Sequence, residues 1–242
     1  MTQKPVLVLI HGAVLNGGMW RPVVEALSGD FQIHTPDLPG HGSRRGEPFR
    51  LARAVDIVRD LARSVAPAPV FLSGDSLGGY VSIAAAASLG DQLRGAVLEG
   101  CTANFQGPTM LLYRTQQALV RLIGQDKLVD RLKVSIQTRY PAAGAAIVAG
   151  GISTDSFGEV LDELRRFDAR TALGAIRAPV LLVNGTRDVP HRIGERGTLA
   201  RAPRVTLRHF AGAGHGVSLL RPLEFAALIR EVAQEAVARG GS

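Results

Sequence analysis

Short β-branched apolar runs alternate along this chain with longer amphipathic segments, the pattern of parallel βαβ units. The runs that read as strands are Val6–Ile10, Phe31–Thr35, Val70–Ser73, Gly95–Glu99, Val180–Asn184 and Val205–Phe210. Most are nearly continuous in apolar residues, as expected for strands covered by helices on both faces. Between them Trp20–Leu27, Phe49–Val65, Leu77–Leu89, Ile193–Ala200 and Pro222–Ala238 read as helices. The alternation lapses between Cys101 and Pro179, where no strand pattern occurs. Three helical patterns take its place, Thr109–Ile123, Asp126–Arg139 and Phe157–Phe167, with Ser156 and Glu159 spaced as a capping box for the last. Pro141–Gly151, rich in small residues, reads as loop or weak helix. The pattern predicts one α/β domain over residues 1–242, with residues 104–168 inserted as a helical lid. Its place after a core strand puts the lid over the C-terminal strand edge, where open α/β sheets bind ligands.

Composition narrows the class. An apolar share of 46% and a charged share of 20% describe a globular core, not a disordered chain, and 242 residues bury one without disulfides. Aromatics make up only 5%, so the core is expected to be built from Ala, Val, Leu and Ile. The formal charge of +7 comes almost wholly from scattered arginines, with lysine only at Lys4, Lys127 and Lys133. No basic stripe with interleaved aromatics occurs, which argues against nucleic acid as a partner and leaves attraction of acidic substrates open. Cys101, the sole cysteine, permits no intramolecular disulfide and fits a reducing compartment. Val6–Ile10 and Ala84–Ala87 are too short to span a bilayer, so a cytoplasmic protein with no membrane partner is expected. There is no P-loop, dinucleotide fingerprint or metal-ligand spacing, so neither cofactor nor metal is implied.

The most specific feature is Gly74-Asp75-Ser76-Leu77-Gly78-Gly79, which follows a strand and opens a helix. That strand–turn–helix context makes Ser76 a candidate nucleophile: flanking glycines let two backbones pass closely while the hydroxyl points outward. A serine hydroxyl needs a base held by a third group. His215 has the best setting of the six histidines, in the loop Ala211-Gly212-Ala213-Gly214-His215-Gly216 between the last strand and the last helix. Asp188 leaves the same sheet edge after Val180–Val183, in the chain order Ser, Asp, His. Glu99, ending the preceding core strand, is the competing acid. His11-Gly12-Ala13-Val14 follows the first strand, so the N–H groups of Ala13 and Leu77 are the candidate oxyanion donors, each worth about 2.7–4 kcal/mol of barrier. His11 itself reads as a loop anchor, His191 has no setting that suggests a role, and Cys101 reads as a packed small residue.

Together these segments resemble the α/β-hydrolase superfamily, specifically its small serine esterase-like members with a helical lid. His34-Thr35-Pro36-Asp37-Leu38-Pro39-Gly40-His41-Gly42 looks like the family segment that holds loops near the site. Pro179–Asp188 and Gly212–His215 look like its acid and histidine segments. The resemblance implies a catalytic triad of Ser76, His215 and Asp188. It also implies the α/β-hydrolase fold with a six-stranded sheet, mostly or wholly parallel. The first strand here resembles the family's third, so the family's initial antiparallel hairpin is not expected. Haloalkane dehalogenases and epoxide hydrolases of this fold carry aspartate in the elbow, and Ser76 sets those activities aside. Asp75 departs from the His, Tyr or Phe common before the serine; facing solvent is the favoured reading, altered substrate preference the other.

The implied activity is hydrolysis of a carboxylic ester of a small molecule through an acyl-enzyme, with thioester, lactone and amide cleavage using the same parts. A triad-dependent lyase, acyltransferase or perhydrolase is the alternative, and a non-catalytic ligand-binding protein a third. Val14, Trp20, Phe105, Tyr113 and Leu219 are candidate pocket residues. Asn184-Gly185-Thr186 is formally a glycosylation sequon that reads as coincidence at a buried strand end. The sequence carries no signal of oligomeric state.

Overall fold

A computed structural model describes residues 4–105, 113, 115 and 125–240. Six strands form one parallel sheet: β1 Val6–Ile10, β2 Gln32–His34, β3 Val70–Asp75, β4 Leu93–Glu99, β5 Val180–Gly185 and β6 Thr206–Phe210. Their order is β2-β1-β3-β4-β5-β6, and every neighbouring pair is parallel. The helices are α1 Arg21–Leu27, α2 Leu51–Ser64, α3 Leu77–Leu89, α4 Gln125–Arg139, α5 Gly144–Gly150, α6 Phe157–Arg166, α7 Ala169–Gly174, α8 Val189–Arg201, α9 Val217–Leu220 and α10 Pro222–Gly240. Among the described residues no helix is long and apolar enough to cross a membrane.

Strand alternation divides the core into two layers. Val6, Val8, Ile10, Val70, Leu72 and Leu98 pack on one face with Val58 and Val81 of α2 and α3. Leu7, Leu9, Phe71, Val97 and Val183 pack on the other with Trp20, Phe225 and Ile229. Trp20, a candidate pocket residue, is fully buried in that second layer with its ring 5.9 Å from Phe225; it packs the core instead of opening on a cleft.

The segment between β4 and β5 is tied to the domain through several side chains. Asn16 Nδ2 donates to the carbonyls of Ile147 and Gly151, both at 2.8 Å, and its Oδ1 accepts from Gly18 N. Glu159 and Glu163, one turn apart on α6, accept from Phe49 N at 2.6 Å and Leu51 N at 3.0 Å. The two carboxylates therefore satisfy amides at the start of α2, where the helix dipole favours negative charge. Ser156 does occupy the N-cap position of α6, but its side chain makes no cap hydrogen bond. Its hydroxyl bonds Gly40 O and lies 3.4 Å from His41 Nε2, so the expected capping box does not form. Pro141–Gly151 includes the α5 helix, α4 and α6 lie where expected, and most of the expected Thr109–Ile123 helix lies outside the described residues.

Candidate active site

β3 delivers the chain into α3 through a single sharp residue. Ser76 has φ 51° and ψ −111°, a conformation an L-residue holds only where its surroundings enforce it. The enforcement is visible in the packing. A Cβ on Gly74 would lie 2.3 Å from the Gly78 carbonyl, and one on Gly78 would lie 2.0 Å from Ile10 O. Only bare α-carbons let the elbow seat this close to β1, which explains the glycine spacing around the serine. Ser76 N donates to Glu99 O at 2.9 Å, anchoring the turn to β4.

The acid and histidine loops are joined to each other as well. Arg187 N donates to Ala213 O at 2.9 Å and Gly212 N to Thr186 Oγ1 at 2.9 Å. This registers Asp188 against His215, whose Nδ1 lies 2.7 Å from Asp188 Oδ2. Asp188 is buried, while 44% of the His215 side-chain surface stays open. Burial works against a charged imidazole, but the hydrogen bond to Asp188 and the charges of Asp75, Asp188 and Glu99 outweigh it and raise His215 to about 9. For Asp188 burial pushes upward, and the partners His215 and His191 hold the carboxyl below its ordinary value. The imidazole is close to the end of β4, the strand beside the elbow strand: a Cβ on Gly100, just beyond Glu99, would touch its Cε1 at 2.6 Å. The Ser76 hydroxyl makes no hydrogen bond among the described residues; in resting triads this contact is often long and tightens with substrate.

The remaining candidates fall on both sides of the elbow. The N–H groups of Ala13 and Leu77 are taken up by no acceptor among the described residues. Val14 has φ 62°, strained for a β-branched residue, and its carbonyl accepts from Ser153 N. His11 is an anchor as expected: buried, with Nδ1 2.8 Å from Gly12 O and Nε2 accepting from Leu38 N at 3.0 Å. Asp37 binds Gly17 N, Ser43 N and the Ser43 hydroxyl, fixing the segment around His34–Gly42 to the β1 loop. Phe105 lies between Tyr80 and Tyr113, with ring separations of 5.4 and 5.0 Å, and lines a 210 Å³ cavity with Tyr80, Leu164 and Phe167. Leu219 is half-buried against the other core layer. A larger groove of 510 Å³ runs by Leu93, Arg94, Ile176 and Pro179 at the opposite end of the strands and holds none of these residues.

Two residues carry more than their local sequence suggested. Asp75 does not face solvent; it is 3% exposed, on the buried face of β3. His191, in α8, stacks on His215 with ring centroids 4.9 Å apart. Its Nδ1 accepts from Thr102 N and Ala103 N, which fixes the ring as a neutral platform under the imidazole. Burial first, and then the charge of His215, drive His191 down to about 3. Asp188, His191 and His215 bring possible ligand atoms within 4.8 Å of one another, but Asp188 and His215 are paired and His191 Nδ1 is occupied by backbone amides. Asn184 is buried and donates to Thr102 and Glu195, which closes it to glycosylation in the folded chain. Burial pushes the Cys101 thiol up, and the residue packs against Gly79.

An elbow serine between glycines and an Asp–His pair at the C-terminal edge of a parallel sheet define a hydrolase architecture. The chain belongs to the alpha/beta hydrolase family, whose profile matches residues 7–228. It is an esterase-like, ester-cleaving serine hydrolase. It is 32% identical over 237 residues to a pimeloyl-[acyl-carrier protein] methyl ester esterase of Xanthomonas oryzae pv. oryzae, covering 87% of this chain and 88% of the relative. It is 29% identical over 246 residues to the protein of that name from Nitrosomonas europaea, covering 91% and 92%. Among solved structures, E-2-(acetamidomethylene)succinate hydrolase shares the fold with a TM-score of 0.78 at 24% identity, covering 96% of this chain and 92% of that one.

Proposed function

We propose that the chain hydrolyses a carboxylic ester of a small molecule through an acyl-enzyme on Ser76, with His215 as base and Asp188 as its partner. The 2.7 Å contact between His215 Nδ1 and Asp188 Oδ2 carries this reading. With Nδ1–H committed to the carboxylate, Nε2 is the nitrogen left to take the Ser76 proton and return it to the leaving alcohol. The free N–H groups of Ala13 and Leu77 stabilise the tetrahedral oxyanion, and water then releases the acid. Residues 104–168 serve as the lid, and the acyl or alcohol group enters between it and the elbow, near Val14, Phe105, Tyr113 and Leu219. The names of the curated relatives put methyl esters of carrier-bound acyl chains first in the substrate panel.

Intact-mass analysis after treatment with a fluorophosphonate tests the assignment. A single adduct that maps to Ser76 and vanishes in Ser76→Ala is expected. A folded protein that takes no adduct, or takes one elsewhere, overturns it.

A further inference from the structure

The elbow has a second set of buried acids beneath it. Asp75 and Glu99 end adjacent parallel strands in register, Asp75 opposite Glu99. Alternation turns both toward the layer of Phe71 and Val97, where Asp75 is 3% and Glu99 0% exposed. In-register neighbours on adjacent strands about 4.8 Å apart set the two carboxyls side by side on that face. Both oxygens of Glu99 accept from Ser218 N, at 3.2 and 3.0 Å. Asp75 Oδ2 packs on the Gly12 backbone, where a Cβ would come within 2.2 Å of it, while Asp75 Oδ1 is buried without a hydrogen-bond partner. Two ionised carboxylates side by side in the core, with one amide donor that serves Glu99 alone, would be strongly unfavourable, and such pairs hold a single proton between them. The titratable groups acting on the pair are His215 from the loop after β6, Asp188 from the loop before α8, Cys101 after β4 and Tyr140 after α4. Those acting on His215 are Asp188, Asp75 and Glu99, with His191 stacked on its ring.

We propose that Asp75 and Glu99 share one proton and together form a second negative pole for His215 beside Asp188, making them positioning residues for the base. The inference rests on His215 being the base assigned above. An imidazolium formed during catalysis is then faced by two negative charges, one on Asp188 and one distributed over the pair. Burial explains how the proton is retained at neutral pH: it drives Glu99 to about 8, with the Asp75 charge adding to it, and Asp75 upward too.

A shared proton has a signature that two independent charges lack. Asp75→Asn leaves the Glu99 carboxylate, and Glu99→Gln leaves the Asp75 carboxylate, so each single variant keeps one negative charge. Only the double variant removes it. Histidine-15N NMR of the full chain is expected to find the His215 titration nearly unmoved in each single variant. In the double variant it should drop by about one pH unit or more, with the acid limb of kcat/KM following. An unmoved double variant, or single variants that each contribute half of the drop, overturns the proposal. Carboxyl-13C titration of the unaltered protein tests the pair without any substitution. One carboxyl that keeps its proton above pH 6 is expected, and ionisation of both below pH 5 overturns the pairing. Failure of fluorophosphonate labelling beside the NMR signature would sink the functional reading alone; labelling beside an unmoved titration would sink the pair alone.

Discussion

His11 and His215 both stand at the C-terminal edge of the sheet, each followed by glycine, and burial penalises the charge of both, yet their chemistry is opposite. His11 is enclosed by backbone: Gly12 O on one nitrogen, Leu38 N on the other, and the His41 ring 5.2 Å away. Burial, and then the charge of His41, hold it neutral, down to about 3. His215 meets Asp188 directly and has Asp75 and Glu99 behind it, which carry it to about 9 against a burial penalty of its own. Burial alone makes a histidine a structural pin, and only surrounding carboxylates make it a base.

The largest effect should come from removing the base side of this contrast. His215→Ala or Ser76→Ala is expected to lower kcat by roughly 10⁴–10⁶-fold, the double variant being little worse. His11→Ala should do the reverse in a thermal melt, losing stability while the folded fraction keeps its labelling by fluorophosphonate.

The pH profile sharpens the contrast. Only neutral His215 can act as base, so kcat/KM should climb about tenfold per pH unit up to its value of about 9. A profile already flat from pH 6 would contradict the raised value. Next comes Gly100, whose φ of +56° favours glycine and whose missing Cβ makes room for His215. Gly100→Ala should push the ring aside and cost roughly 10–10²-fold in kcat, since small misplacements at a reacting centre are amplified.

The two histidines also act oppositely on stability. The unfolded chain protonates His11 near 6.5, whereas the folded chain resists until about 3. Its stabilising contribution is full above pH 6.5 and falls by up to about 1.4 kcal/mol per unit as the pH drops. The raised His215 contributes most below pH 6.5, and that contribution is lost as the pH rises through about 9. His11→Gln should therefore flatten the acid side of a urea-denaturation series. The smallest effect expected is that of Glu159→Gln, which removes the charge from the bond to Phe49 N: about 1 kcal/mol in the same assay, with kcat unchanged.

Strands and elbow were legible because continuous apolar runs and glycine spacing are local signals. β4 starts at Leu93, not Gly95, because Gly95 looks like a breaker but packs tightly against Val232 and Phe71. α8 begins at Val189 because Pro190 suits the first turn of a helix. Asp75 was misread because a charged residue between Gly74 and Ser76 looks like a surface turn; its burial follows from strand register, which pairs it with Glu99. His191 had no local signature, since its stacking depends on how α8 docks beside the histidine loop. Trp20 went to the core because the 3-10 turn Gly17–Trp20 points it at Phe225.

The ties made by Asn16, Glu159 and Glu163 bear on redesign. Residues 104–168 are not a cassette that can be exchanged between scaffolds at its two ends. Their bonding partners lie at Asn16, Phe49 and Leu51, far upstream in the chain. A graft into a relative would have to bring an asparagine at the first loop and a matching start to the second helix. Without them it would arrive with two unmet carboxylates and two unmet carbonyls. Inheritance of this segment is therefore coupled to positions that no alignment of the segment alone would flag.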